Sequence, residues 1–91
     1  MYPRQRPDLK ARIVDGETVL LDRAAGRVHQ LNATASFVWS KLDGIASAEK
    51  VAAEVAEAFD VDPQTAARDV DALLAQFGAL NLLTDDVKGG D

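Results

Sequence analysis

One segment, residues 26–44 (GRVHQLNATASFVWSKLDG), constrains the fold most because it leaves no room for a loop between a strand and a helix. Residues 27–31 alternate as a strand does. Asn32 follows at once as an N-cap, whose side-chain oxygen can accept from an amide of the first helical turn. Asp43-Gly44 is predicted to stop the helix. Four apolar residues at helical spacing lie between them: Ala35, Val38, Trp39 and Leu42.

Two further runs complete a three-stranded antiparallel meander. Residues 9–14 are predicted to form a strand with Leu9, Ala11 and Ile13 on one face. Asp15-Gly16 is a strong signal for a two-residue hairpin. Residues 17–22 form the returning strand, in which three consecutive apolar residues predict that both faces are covered. The third strand is residues 27–31, after a turn at residues 23–26.

The remainder is predicted to be helical. Ser47 can cap a helix over residues 48–59, and Asp62-Pro63 is a clear start for a third helix. Gly78 is expected to end that helix near Gln76 or Phe77. The order β-β-β-α-α-α predicts an α+β fold: a three-stranded antiparallel meander followed by a three-helix bundle, similar to a winged helix. The inward residues expected on the third helix are Ala66, Val70, Leu73 and Phe77.

The length of 91 residues predicts one domain. We expect residues 1–8, with two prolines, to form a flexible N-terminal arm, residues 9–83 to form the domain, and residues 84–91 to form a frayed tail. The chain has no cysteine, no apolar run of membrane-spanning length and no apolar signal segment. These observations predict a cytoplasmic protein without a membrane association.

Catalysis and nucleic-acid binding have little support in the sequence. His29 is the one histidine, and no glycine-flanked nucleophile is present, so we expect neither an enzyme nor a cofactor or metal site. The net charge is −5, and the third helix has Arg68 as its one basic residue, beside Asp69 and Asp71. This balance argues against nucleic-acid binding, which depends on neutralising phosphates.

Peptide binding at a sheet edge is the remaining candidate. The third strand of a meander can expose unpaired backbone groups, and an extended peptide can use such an edge by adding a strand. The neighbouring helix then supplies pockets. We expect Ala67, Asp71 and Leu74 to form the wall opposite this strand, although Ala67 and Leu74 can equally be plain core residues. The strand residues of this candidate site are Arg27, Val28, His29, Gln30 and Leu31.

Together these residues resemble the PqqD family, the peptide-recognition domains of pathways that modify ribosomal peptides. One departure is Asn81, which precedes Leu82-Leu83 where the family commonly has glycine, so the end of the third helix stays open. The resemblance spans Pro7 to about Leu83. It rests on Arg6-Pro7, Val19-Leu20-Leu21-Asp22, residues 26–32, Thr34-Ala35, Val38-Trp39, Leu42-Asp43-Gly44, residues 52–59, Val61-Asp62, Asp69-Val70, Leu73-Leu74 and residues 80–83.

The resemblance implies a non-catalytic chaperone that binds the leader segment of a precursor peptide along residues 27–31, against the third helix. It also implies delivery to a modifying enzyme, often a radical S-adenosylmethionine protein, in pyrroloquinoline quinone biosynthesis or a related pathway. Two alternatives stay open: an acidic winged-helix regulator and a structural subunit of an enzyme complex. The domain is expected to be a monomer, or a homodimer paired through the same edge strand.

Overall fold

The computed structural model describes residues 2–84 and has the expected α+β fold. A three-stranded antiparallel sheet of order β2-β3-β4 packs on three helices. A second, two-stranded sheet joins β1 to β5, which the sequence did not predict. The expected tail lies outside the described residues, apart from Thr84. The elements are β1 (Arg4–Gln5), β2 (Lys10–Val14), β3 (Glu17–Asp22), β4 (Arg27–Gln30), α1 (Ala33–Ser40), α2 (Ala48–Phe59), α3 (Pro63–Ala79) and β5 (Leu83–Thr84).

The hairpin forms as predicted, but its first strand is more exposed than its pattern implied. Asp15 and Gly16 both have positive φ, as a type I′ turn requires. The central strand β3 alternates, with its even-numbered residues buried toward the helices. Every residue of β2 is exposed, and Ile13 is 70% exposed. The reason is that α1 packs mainly against β3. β2 therefore lies to the side of the helices and is not covered by them.

The helix starts are confirmed. Asn32, Ser47 and Asp62 each accept from a backbone amide of the first turn of their helix, and Pro63 occupies the first position of α3. Helix α1 ends with its cap at Lys41, before the predicted stop. Gly44 has φ +80°, and a Cβ there would lie 3.1 Å from the Arg4 side chain. The close approach of residues 3–5 to this loop therefore explains the glycine.

The predicted end of α3 is wrong. Gly78 lies inside the helix, which continues to Ala79, and Asn81 takes the left-handed conformation with φ +63°. The amide of Asn81 donates to the Gly78 carbonyl, and the amide of Leu82 donates to the Phe77 carbonyl. This pair of bonds is a Schellman motif, which asparagine tolerates better than most residues. It turns the chain back so that Leu82 enters the core.

The predicted loose arm is also wrong for residues 3–6. β1 pairs with β5 in the register Arg4 with Thr84. The Gln5 amide donates to the Leu42 carbonyl, and its side chain donates to the Trp39 carbonyl at 2.7 Å. The prolines keep this segment extended. Its backbone groups bond to the loop after α1, to Leu82 and to β5, and the Gln5 side chain bonds to α1. None of those partners is local, so the pattern of residues 1–8 did not reveal them.

Arg6 links the N-terminal segment to the rest of the domain through hydrogen bonds. Its guanidinium donates to the Asp22 carboxylate at 2.7 Å and to the Asn81 carbonyl at 2.7 Å, and it also holds Asp8. Asp22 is only 2% exposed and accepts a further bond from the Ala25 amide. Hydrogen bonding from Arg6 lowers the pKa of Asp22, with a smaller contribution from Ala25. Arg6 and Asp22 are thus structural partners.

We expect the variant Arg6→Gln to be less stable than the wild type at neutral pH. The lowered pKa of Asp22 means that its pairing contributes stability above the ordinary aspartate pKa of about 3.9. That contribution is lost as the pH falls through the folded-state value. Thermal unfolding at pH 7 and pH 3 measures this. The gap between variant and wild type should narrow at pH 3, and a constant gap would contradict the proposed charge pairing.

One apolar core lies between β3 and the three helices. Trp39 and Phe77 pack edge to face with ring centroids 5.3 Å apart. In the described part of the chain, no helix is long and apolar enough to cross a membrane. Within the same residues, no group of three metal-ligating side chains occurs. The buried apolar residues are Leu20, Leu31, Ala35, Val38, Trp39, Leu42, Val51, Ala52, Val55, Ala66, Val70, Leu74, Phe77 and Leu82.

Candidate functional site: the open edge of β4

Strand β4 is an edge of the three-stranded sheet, and its register determines which backbone groups are open. The Leu31 amide donates to the Thr18 carbonyl at 2.8 Å, so Leu31 faces β3. Because backbone groups alternate in direction along an antiparallel strand, His29 and Arg27 also bond toward β3. The amides and carbonyls of Val28 and Gln30 therefore point away from the sheet. These four groups are available to another strand.

A cavity of about 340 Å³ lies between this edge and α3. The side of the cavity formed by α3 combines two half-buried leucines, Leu73 and Leu80, with the exposed amide of Gln76. The floor is formed by residues of the core. The complete lining is Val28, His29, Gln30, Leu31, Asn32, Ala35, Leu73, Gln76, Phe77 and Leu80. We call this cavity the β4–α3 groove.

Two smaller depressions extend the groove at its ends. One shares Asn32 and Leu73 with it and is bordered by Asp69. The other shares Leu80 with it and is bordered by Arg27. The N-terminal half of α3 therefore lies beside the end of β4, and α3 runs antiparallel to β4 along the groove. The exposed Asp69 borders one end of the groove, and the exposed Arg27 borders the other.

Ser36 fixes the junction between the sheet and α1. Its hydroxyl accepts from the Thr18 amide at 2.8 Å and donates to the Leu31 carbonyl at 3.1 Å. The Ser36 hydroxyl thus takes the place of the second backbone hydrogen bond between Thr18 of β3 and Leu31 at the end of β4. Nothing local in the sequence shows that the Ser36 hydroxyl faces a strand, because its two partners lie on β3 and at the end of β4. This bridge fixes the end of β4 against α1.

His29 points its side chain to the helix side of the sheet, because it lies opposite buried Leu20. Its Nε2 atom is buried and has no hydrogen-bond partner among the described residues. Val28 and Gln30 point to the outer side, where Val28 is 65% exposed and Gln30 donates to Glu17. A strand added to β4 would therefore meet His29 on its inner side and Val28 on its outer side.

The structure does not bring Ala67, Asp71 and Leu74 to the groove, which corrects their predicted position. Leu74 is 7% exposed and belongs to the core, while Ala67 and Asp71 are exposed and line none of the cavities described above. The reason is the rotational setting of α3. At about 100° per residue, these three residues lie on one flank of the buried stripe, and the groove lies on the other flank.

The groove flank of α3 consists of Asp69, Leu73 and Gln76, and the C-cap residue Leu80 continues it. The sequence assigned Leu73 to the core stripe and Leu74 to the groove wall, and the structure exchanges these two roles. Amphipathicity showed that one side of α3 is buried. It did not show which flank of that side faces the sheet, because both flanks begin with a leucine. Of the predicted strand residues, Val28, His29, Gln30 and Leu31 line the groove, and Arg27 lines the depression at its end.

The sequence matches the model of one protein family. The model for coenzyme PQQ synthesis protein D, PqqD, matches residues 17–83. The chain belongs to the PqqD family. The matched region includes β4, all three helices and the groove between β4 and α3. No curated protein matches the sequence significantly.

Three solved structures have the same fold. TbiB1 in complex with the TbiA(beta) leader peptide is 25% identical with a TM-score of 0.82, covering 92% of this chain and 98% of that chain. Lasso peptide synthetase B1 complexed with its leader peptide is 28% identical with a TM-score of 0.82, covering 93% and 100%. The PqqD truncation of Methylobacterium extorquens PqqCD, a stand-alone recognition element, is 24% identical with a TM-score of 0.75, covering 91% and 88%.

Proposed function

We propose that this PqqD-family protein binds the leader segment of a ribosomally made precursor peptide as an added strand on β4. The observation that carries the proposal is the open edge itself. Val28 and Gln30 direct their backbone groups into a groove whose opposite wall is α3. Two structural relatives are complexes with leader peptides, which supports the same use of this fold here.

The energetics explain why the groove needs both a strand edge and an apolar wall. Four backbone hydrogen bonds contribute about 4 kcal/mol at roughly 1 kcal/mol each. That free energy corresponds to a dissociation constant of about 1 mM before the cost of ordering the peptide. One buried apolar side chain adds about 1.5–3 kcal/mol. Contacts with Leu73 and Leu80 therefore have to supply much of the affinity and most of the specificity.

The proposed role is non-catalytic presentation of the peptide to a modifying enzyme. A radical S-adenosylmethionine protein and the pyrroloquinoline quinone pathway are the proposed enzyme class and context, on the basis of family membership. In this role the domain needs no cofactor, since it binds the leader and leaves the reacting segment to the enzyme. Pairing of two copies through β4 would occupy the same edge. A homodimer of that kind would dissociate as peptide binds.

An amide NMR titration with the leader half of the precursor peptide encoded beside this gene tests the proposal. We expect shifts at residues 27–31 and at Leu73, Gln76 and Leu80. Amides of β2, on the opposite edge, should stay unchanged and provide the internal control. A well-folded domain whose spectrum is unaffected by a large excess of that peptide would overturn leader binding and favour the structural subunit. Retarded DNA migration at physiological salt would favour the regulator.

A further inference from the structure

We infer that the β4–α3 groove selects peptides with a five-residue pattern: a basic residue, any residue, an apolar residue, any residue and an acidic residue, in that order. The inference rests on the proposed strand addition and specifies its substrate class. It comes from the register of β4 and from two exposed charges at opposite ends of the groove, Asp69 and Arg27.

The register determines which peptide residues face α3. Antiparallel pairs are about two to three times commoner than parallel ones in sheets. A strand added antiparallel to β4 exchanges hydrogen bonds with Val28 and Gln30. Its residues opposite Leu31, His29 and Arg27 then form the non-hydrogen-bonded pairs, whose side chains lie closest together. Those three peptide residues are the first, third and fifth of the pattern. Their side chains share the helix side of the sheet, because Leu20 and Asp22, opposite His29 and Arg27, are buried there.

The middle of the groove favours an apolar residue. The third peptide residue lies opposite His29, between Leu73 and Leu80 and above Phe77. A large aliphatic or aromatic side chain at this position removes apolar surface of both leucines from water.

The two ends favour opposite charges. Arg27 and Asp69 are exposed, and neither has an ion pair among the described residues. Asp22 is opposite Arg27 in the register, but it is already bonded to Arg6, as is Asp8. The fifth peptide residue lies directly across from Arg27. The first lies opposite Leu31, at the end of the groove bordered by Asp69.

The spacing is consistent along both walls. From Asp69 to Leu80, α3 rises about 16 Å at 1.5 Å per residue. From Arg27 to Leu31, β4 rises about 14 Å at roughly 3.4 Å per residue. An extended peptide covers that span in four steps, so the charged residues are separated by three others. Because four is an even number of residues, both charged side chains of the peptide point to the helix side of the sheet.

Three capped peptides of equal length test the inference, with central blocks Lys-Thr-Leu-Thr-Glu, Glu-Thr-Leu-Thr-Lys and Gln-Thr-Leu-Thr-Gln. Exposed charge pairs change affinity by only a few fold each. We therefore expect the first peptide to bind about tenfold more tightly than the second by NMR titration at low salt, with the neutral peptide between them. The difference should shrink at 0.5 M salt.

A charge-reversed protein, Arg27→Glu with Asp69→Lys, should reverse the order of the charged peptides, and both substitutions are at exposed positions. Equal binding of all three peptides by the wild type would overturn the charge pattern and leave strand addition standing. Tighter binding of the second peptide by the wild type would overturn the direction assigned to the strand. Binding of none at several millimolar would overturn strand addition together with this inference.

Discussion

Alanine at Leu74 lowers the free energy of unfolding by about 2–5 kcal/mol, whereas alanine at the adjacent Leu73 lowers it by about 1 kcal/mol. The difference follows from one helical step. Leu74 is 7% exposed in the core, and its truncation leaves a cavity there. Leu73 is half-buried at the groove, where water replaces the lost side chain. Urea unfolding of the two variants and the wild type measures both effects.

The two substitutions should affect peptide binding in the opposite order, with the larger effect at Leu73. We expect Leu73→Ala to weaken leader affinity about tenfold, because the apolar wall opposite β4 loses one of its two leucine side chains. Leu74→Ala should retain near wild-type affinity in the folded fraction. NMR titrations under conditions where both variants are folded provide the comparison. Equal losses of affinity would show that the groove is not a binding wall, and a larger loss at Leu74 would restore the original assignment of α3.

Proline at Gln30 should weaken leader binding strongly while the domain stays folded. The Gln30 amide points away from β3, so its loss removes no bond of the sheet, and edge strands tolerate proline at such positions. The proline ring would occupy the space of an added strand and remove one donor. We expect a loss of affinity of at least tenfold, measured by NMR titration, with amide dispersion retained.

Two matched controls separate the backbone effect from other causes. Gln30→Ala removes the side chain and its bond to Glu17 but keeps the amide, so affinity should change little. Ile13→Pro places proline at an outward-facing amide on the opposite edge, since the two-residue turn makes Val14 and Glu17 a hydrogen-bonded pair. Affinity equal to wild type in Gln30→Pro, with the fold intact, would exclude strand addition at β4.

The sequence predicted the elements whose signals are local. Asn32, Ser47 and Asp62 each combine a capping side chain with a following apolar stripe, and each begins a helix as expected. Asp15-Gly16 determines the hairpin, because a type I′ turn needs positive φ at two consecutive residues. From these signals the α+β fold and the edge strand of the candidate site followed. Trp39 is buried on the apolar face of α1, as predicted.

The features that the sequence did not predict depend on partners distant in the chain. Arg6 meets Asp22 and Asn81 only after the whole domain has folded, so a segment with two prolines resembled a loose arm. Gly78 is a stronger local helix stop than Asn81, but burial of Leu82 determines where α3 ends. The flank of α3 that faces β4 is likewise a tertiary property. No periodicity within α3 distinguishes the two sides of its buried stripe.

The short pairing of β1 with β5 places residues 4 and 84 side by side. A polypeptide joined before β1 and another joined after β5 would therefore leave the domain from neighbouring points. Such a unit can be attached to an enzyme at either end, or inserted into a loop of one, without stretching the host chain. The same fold is thus suited to act as a separate adaptor or as a built-in module, with the open edge of β4 unchanged in either setting.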